Sequence, residues 1–140
     1  MRRAGSVATL CLGEYAAMLK RLQKDRSLTK FLDAVKTCVT SGHIPHCFTA
    51  FVKPGMYFPE AKSEDTDWYV TPEQFVDFVW PYRDAAGLRL WNALVGCFIS
   101  SEMQPYGSNA ARFVEPDRGY MCEVERTKAG WKLTMFVKRC

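Results

Sequence analysis

The segment NAARFVEPDRGYMCEVERTKAGWKLTMFVK, residues 109–138, decides the fold class of this 140-residue chain. It contains three short stretches of alternating apolar and polar residues, which run from Ala110 to Glu115, from Tyr120 to Arg126 and from Trp131 to Lys138. The two connections, Pro116 to Gly119 and Thr127 to Gly130, have the composition of tight turns. The pattern predicts an antiparallel meander of three strands.

Alternation in the last stretch also predicts which side of the sheet is buried. The side that we expect helices to cover carries Trp131, Leu133, Met135 and Val137. Phe136, together with Met121 on the middle stretch, is then an apolar exception on the outer side. We therefore expect a second subunit or a partner protein to bind around Phe136 and Met121.

The residues upstream predict the helices that cover this sheet. Apolar residues at helical spacing indicate a first helix from about Thr9 to Lys24, and a second one that starts at an N-cap, Ser27, and stops at Gly42. A short third helix is expected to begin at Pro45. The clearest start signal is Thr71-Pro72-Glu73-Gln74, which combines an N-cap, a proline in the first turn and a capping-box partner.

The run from Leu88 to Ile99 is apolar apart from Arg89 and Asn92, and we interpret it as a buried strand, although a helix also fits a run of this length. Ser100 to Ser108 is interpreted as a loop. Helices thus come first and strands last, which predicts an α+β fold. We expect a single domain, residues 1–140, with N-terminal helices packed on a curved antiparallel sheet of about four strands.

The order of elements and the closing Gly130-Trp131-Lys132-Leu133 resemble the ketosteroid-isomerase-like superfamily of α+β cones, also called SnoaL-like or nuclear transport factor-like. The segment from Phe31 to Phe58 is similar to the entry half of such a domain. The resemblance implies a conical pocket between sheet and helices, frequent homodimerisation through the sheet, and functions from isomerase and dehydratase to plain binding. Isomerases of the superfamily use a carboxylate base with a tyrosine and a protonated carboxylic acid, and this sequence does not place that trio.

Aromatic residues make up 14% of the chain, enough to line a cavity for a flat ligand. The side chains expected to line it are Tyr57, Tyr69, Trp91, Tyr120 and Trp131. The sequence thus favours a homodimeric, cone-like domain that binds a small apolar or aromatic molecule without a cofactor, rather than a dedicated enzyme. Two alternatives stay open: a protein-interaction module, such as an inhibitor or adaptor, that uses the outer sheet face, and a cone-type isomerase or dehydratase.

The six cysteines lack the regular spacing of a disulfide scaffold, and we interpret them as reduced thiols of a cytoplasmic protein. Cys38, His43, His46 and Cys47 form a cluster with the chemistry of metal ligands. Their spacing matches no zinc finger or ribbon, so the sequence favours a helix junction without a metal. A disulfide between Cys38 and Cys47 is the alternative for an exported protein.

The formal charge of +4 originates in the first 26 residues, which hold six basic and two acidic residues. No arginine-rich tract accompanies this excess, so nucleic acid is not predicted as a partner. No apolar run reaches the length of a membrane span, so no membrane partner is predicted either. Met1-Arg2-Arg3 followed by Ala4 to Leu12 has the charge order of a signal peptide, which makes export the alternative to a cytoplasmic location.

Overall fold

The computed structural model describes residues 4–41, 46–61, 68–80, 85–116 and 119–138, with the side chains of all of these except 4–12, 46, 61 and 85–88. These residues form an α+β fold of helices packed on one mixed sheet. The helices are α1 (Ala4–Lys24), α2 (Arg26–Ser41), α3 (His46–Thr49), α4 (Pro72–Val79) and α5 (Ala85–Ile99), with a 3-10 turn at Pro59–Ala61. The strands are β1 (Val52–Tyr57), β2 (Tyr69–Val70), β3 (Met103–Pro105), β4 (Ala110–Val114), β5 (Tyr120–Thr127) and β6 (Gly130–Lys138).

The sheet has six strands in the order β2-β1-β6-β5-β4-β3. The predicted meander is confirmed as β4, β5 and β6, whose neighbours pair antiparallel. The expectation of about four antiparallel strands is too low, and the sheet is mixed because β1 joins β6 in parallel. The segment interpreted as a loop contains β3, a strand of three residues that pairs with β4. A strand this short carries too few residues for alternation to be visible.

The interpretation of Leu88 to Ile99 as a strand is wrong, because this segment belongs to α5. Its buried residues recur at helical spacing: Leu90, Trp91, Ala93, Leu94, Cys97 and Phe98. The polar residues Arg89 and Asn92 lie exposed on the opposite side of the helix. An apolar run long enough for a helix of several turns is therefore better matched to the helical period than to a strand.

Of the N-caps predicted at Ser27 and Thr71, the structure confirms only the one at Thr71. Thr71 caps α4 as predicted, since its hydroxyl accepts from the Gln74 backbone N–H at 3.0 Å while the Gln74 side chain accepts from the Thr71 backbone N–H at 2.9 Å. At the start of α2, the capping acceptor is Asp25 and not Ser27, because the Asp25 Oδ1 accepts from the Leu28 backbone N–H at 3.1 Å. The start of α2 therefore lies earlier than predicted. The predicted helix start at Pro45 lies outside the described residues.

An irregularity in β6 reverses the sides of the residues that follow it. Val124 pairs with Leu133, whereas its neighbour Glu123 pairs with Met135, which leaves Thr134 as an extra residue. Such a β-bulge places two consecutive side chains on the same side of the sheet. Alternation therefore continues out of phase beyond Thr134.

The bulge overturns part of the predicted facing of β6. Phe136 is fully buried in the core, whereas Met135 and Val137 are half-buried on the outer side, so the predicted positions of these three residues are wrong. Trp131 is buried, as predicted, and Met121 lies half-exposed on the outer side, as predicted. A strictly alternating pattern cannot reveal a bulge, because the pattern assumes that every residue has one partner.

The core lies between the inner side of the sheet and helices α2, α4 and α5. Phe136 connects the layers there: its ring lies 5.8 Å from Phe58, 5.9 Å from Phe75 on α4 and 5.1 Å from Tyr120, measured between ring centroids. Phe48 contributes further contacts to Phe75 and to α5. Among the described residues, no helix is both long and apolar enough to cross a membrane.

Candidate functional site

Three of the residues predicted to line a ligand pocket lie in the interior, each with a different set of neighbours. The ring of Trp91 packs edge-on against Phe48 and Trp80, at 6.0 and 5.1 Å between centroids. Tyr120 stacks on Phe136. These aromatic contacts make both side chains part of the packed core.

Trp131, the third interior residue, has polar neighbours. Its indole Nε1 donates to the Ser27 hydroxyl at 3.0 Å, and the Arg126 guanidinium lies 4.8 Å above the ring. Arg126 is held in turn by the Asn109 side-chain oxygen at 3.1 Å and by an ion pair with Asp25. Trp131 thus joins the β5–β6 hairpin to the start of α2.

The other two predicted pocket residues, Tyr57 and Tyr69, lie together on the outside of the sheet. They are paired across β1 and β2, with ring centroids 5.4 Å apart. Trp68 extends this aromatic group, since its ring lies 6.0 Å from that of Tyr57. The structure therefore brings Tyr57 and Tyr69 together and places Trp91, Tyr120 and Trp131 elsewhere.

The surroundings of the Tyr120 hydroxyl, a polar group of the predicted pocket, raise its pKa. Burial is the main reason that its pKa is raised, and the Glu60 carboxylate raises it further, whereas Arg89 lowers it through charge and a hydrogen bond. Tyr120 therefore keeps its proton at neutral pH and acts as a hydrogen-bond donor or acceptor rather than as a base. Glu60 and Arg89 are exposed.

The predicted cysteine and histidine cluster contains a disulfide. Cys38 at the end of α2 is bonded to Cys47 in α3, with their Cα atoms 5.9 Å apart, so the interpretation of all six cysteines as thiols is wrong for these two. Disulfide sulfurs are not the thiolates that zinc binds. His43 and the side chain of His46 lie outside the described residues, among which no group of three metal-ligating side chains is found.

Two cysteines in the core are free thiols. Cys97 on α5 and Cys122 on β5 are fully buried, and the pKa of Cys122 is raised by burial and by its contact with the Cys97 thiol. The Cys122 thiol therefore stays protonated, and both side chains pack as small apolar groups in the core.

The outer side of the sheet presents an ordered surface that we call the outer face. One row of side chains runs across the strands by direct pairing: Tyr69, Tyr57, Met135, Glu123, Arg112 and Gln104. A second row, on β6, β5 and β4, consists of Val137, Met121 and Val114. The outer face is thus aromatic and apolar at one end and charged at the other.

At the charged end of the outer face, hydrogen bonds join side chains of β4, β5 and β6. The Arg112 Nε donates to Glu123 Oε1 at 2.7 Å, and the Arg112 guanidinium stacks 3.4 Å from the ring centroid of Tyr106. The bulge residue Thr134 donates to the Glu125 carboxylate at 2.9 Å and lies within 3.2 Å of the Glu123 carbonyl. Each of the two carboxylates on this surface therefore accepts a hydrogen bond from a side chain of the same protomer, Glu123 from Arg112 and Glu125 from Thr134.

Glu123 is the carboxyl group of this network whose pKa is raised. Burial is the main cause; the neighbouring Glu125 adds to it, and the hydrogen bond from Arg112 opposes both. Its side chain is only 10% exposed, although it lies on the outer side of the sheet. Sequence alternation places Glu123, Glu125 and Thr134 together on this side, and the structure confirms the contact of Thr134 with Glu125. The contact of Arg112 with Glu123 was not predicted, because it depends on the register of β4 against β5.

No family model, curated protein or solved structure matches the chain. The resemblance to the ketosteroid-isomerase-like superfamily therefore stays a prediction.

Proposed function

We propose that the protein is a protein-interaction module that binds through its outer face, and that its partner is a second copy of this chain. The observation that carries this proposal is the row of outward side chains from Tyr69 to Gln104, which crosses all six strands of the sheet. An interior ligand pocket has less support, because Trp91, Tyr120 and Trp131 are engaged by neighbouring rings and polar groups.

The apolar end of the outer face has the composition of a binding surface. Tyr69 is 61% exposed and Trp68 is 42% exposed, and both contact Tyr57. Met135 pairs with Tyr57, and Met121 lies two strands away from Tyr57 on the same face; both methionines are half-buried. Tyrosine, tryptophan and methionine are enriched in protein interfaces, and exposed apolar groups that lie side by side mark such surfaces.

The polar end of the outer face is suited to being covered. Burying a charged group is costly when its partner is missing, and far less so when the pair is already hydrogen-bonded. Arg112 and Glu123 are paired within the protomer, and Thr134 is paired with Glu125. A partner surface can therefore cover the Glu123 carboxylate without leaving its charge unpaired. The guanidinium of Arg112 carries five N–H groups, and those that do not bond to Glu123 need acceptors from the partner.

Charge balance favours a second copy as the occupant. Arg112 and Lys132 on the outer face are matched by Glu123 and Glu125, which pair with them across the strands. Two identical faces can therefore meet without net repulsion, as the self-complementary interface of a two-fold dimer requires. The resemblance to the cone superfamily also implies homodimerisation through the sheet.

Sedimentation velocity over a range of protein concentrations tests this proposal. We expect a monomer–dimer equilibrium in which Met135→Lys, at the centre of the outer face, raises the dimer Kd at least about tenfold, because a charge replaces an apolar contact. Ile99→Lys is the matched control, since Ile99 is equally an apolar surface residue, 45% exposed at the end of α5.

We expect Ile99→Lys to change the dimer Kd by less than about twofold, the effect of a residue outside the interface. Circular dichroism verifies that both variants fold. A wild-type protein that stays monomeric at every concentration contradicts the proposal, as does equal weakening by the two variants. Binding of some other protein to the outer face of a monomeric chain would likewise exclude the second copy as its occupant.

A further inference from the structure

A basic surface at the junction of α1 and α2 lies apart from the outer face. Two open clefts meet there and share Lys24. The first, of about 390 Å³, is lined by Arg21, Leu22, Lys24, Asp25, Ser108 and Arg126. The second, of about 640 Å³, is lined by Gln23, Lys24, Arg26, Ser27, Thr29 and Lys30. We call the two together the basic cleft.

The acidic residue of the basic cleft is already neutralised. Asp25 accepts from the Ser27 hydroxyl at 2.6 Å and forms an ion pair with Arg126. Arg126 is fixed between Asp25, the Asn109 side chain and the ring of Trp131. The Asp25 and Arg126 pair therefore contributes little net charge to the lining of the first cleft.

The remaining charges of the basic cleft are all positive. Arg21, Lys24, Arg26 and Lys30 are exposed, and none of them forms a side-chain hydrogen bond or ion pair within the described part of the chain. Four unpaired cations along two joined clefts create a local positive potential. The ligand that complements this potential is an anionic one.

We propose that the basic cleft binds an acidic protein segment in an extended conformation, with its carboxylates against the four cations. The clefts are open to solvent, and their walls combine the charged ends of lysine and arginine with the aliphatic parts of the same side chains. This mixture suits a peptide, whose aliphatic parts pack on the stems of lysine and arginine while its carboxylates meet the cations.

The lining favours a peptide over single-stranded nucleic acid. Binding of single strands relies on aromatic rings that stack on bases. The exposed aromatic residues Tyr69, Trp68 and Tyr106 lie on or beside the outer face instead, and the ring of Trp131 is covered by Arg126. The residues that line the basic cleft include no aromatic ring.

Fluorescence anisotropy with a fluorescein-labelled hexaglutamate peptide tests the inference on the full chain. We expect saturable binding that weakens with added salt, because ion pairs at an open surface are screened. Lys24→Glu, which alters the residue shared by both clefts, is expected to weaken binding about tenfold, the scale of one close charge reversal. Labelled hexaglutamine is the uncharged reference and is expected not to bind.

Lys138→Glu is the matched control, because it changes the net charge equally at an exposed lysine at the opposite end of β6. We expect it to leave peptide binding within about twofold of wild type, since only general charge is altered. Met135→Lys is expected to bind the peptide normally, so failure of dimerisation is distinguished from failure of the basic cleft.

Three results would overturn the inference. Equal loss of binding in Lys24→Glu and Lys138→Glu would show that only net charge matters. Tighter binding of an oligothymidylate of the same formal charge would assign the surface to nucleic acid. Absence of saturable binding to hexaglutamate, with circular dichroism showing a folded protein, would exclude an acidic segment.

Discussion

At the scale of single residues, the role of Trp131 in the structure differs from the role expected from the sequence. An aromatic residue at the start of a strand is a reasonable pocket residue, and it is buried as expected. Its indole, however, donates to Ser27, which is 104 positions away in sequence. Sequence reasoning identifies Ser27 as a helix-capping residue and offers no signal for a contact at this separation.

Asp25, which belongs to the same group of residues, makes the stability of the folded state depend on pH. Its pKa is lowered from 3.8 to about 2, chiefly by the hydrogen bond from Ser27, with further contributions from the Leu28 backbone N–H and Arg126 that outweigh the effect of burial. A carboxyl group with a depressed pKa stabilises the folded state above its unfolded pKa and loses that contribution as pH falls through the folded pKa. The stabilisation from Asp25 is therefore expected to disappear between about pH 4 and pH 2.

The substitution Asp25→Asn tests this pH dependence. We expect it to lower the free energy of unfolding at pH 7 by up to about 1 kcal/mol, the range of a partly exposed ion pair. The difference from wild type should vanish as the pH approaches 2, in urea unfolding followed at several pH values. Asp33→Asn, at an exposed position in α2, is the control for the removal of one carboxylate elsewhere on this surface. A constant difference at every pH would contradict the assignment.

At the scale of elements, the signals that could be predicted are the local ones. The capping box at Thr71 and the turns of the meander depend on residues within a few positions of one another, and the structure contains both. The bulge at Thr134 and the parallel pairing of β1 with β6 depend on partners far away in the chain. Neither feature is visible in the hydrophobic alternation, so strict alternation predicts the wrong side of the sheet for Phe136.

The packing of α5 against Glu115, just after β4, leads us to expect opposite effects on stability when alanine replaces two helical glycines. A Cβ at Gly96 would lie 2.7 Å from Cγ of the buried Glu115, whereas a Cβ at Gly13 in α1 would meet no atom of the described residues within 4 Å apart from its own helix backbone and chain neighbours. Alanine gains about 1 kcal/mol over glycine in a helix interior, and overpacking costs about 1 to 3 kcal/mol. We expect Gly13→Ala to stabilise the protein by up to about 1 kcal/mol and Gly96→Ala to destabilise it by about 1 to 2 kcal/mol.

Urea unfolding at neutral pH measures both glycine variants. Opposite signs are the expected result, because the two positions share the same gain in helix propensity and differ in the space around the new methyl group. Stabilisation by both substitutions would show that Glu115 moves aside without cost, and would remove the argument that α5 requires a glycine at this contact.

At the scale of the whole molecule, the fold class was predictable and the candidate site was not. Amphipathic helices followed by alternating strands indicated α+β, which the structure confirms. The composition of the outer face depends on which side of the sheet each side chain lies on. Because of the extra residue Thr134, Met135 lies on the outer face and Phe136 lies in the core. The basic cleft depends on how the start of α2 meets the β5–β6 hairpin, through the ion pair of Asp25 with Arg126.

The exchange of Phe136 for Met135 can be tested through its effect on the stability of the whole domain. Phe136 joins the sheet to Phe75 on α4 and to Phe58 after β1 and is fully buried, so Phe136→Ala is expected to lower the free energy of unfolding by about 3 to 5 kcal/mol. Met135 is half-buried on the outer face, and Met135→Ala is expected to cost less than about 2 kcal/mol. Strict alternation, with Met135 inside and Phe136 outside, predicts the reverse order. Denaturant unfolding of both variants, at protein concentrations below the dimer Kd so that association does not contribute, decides between the two.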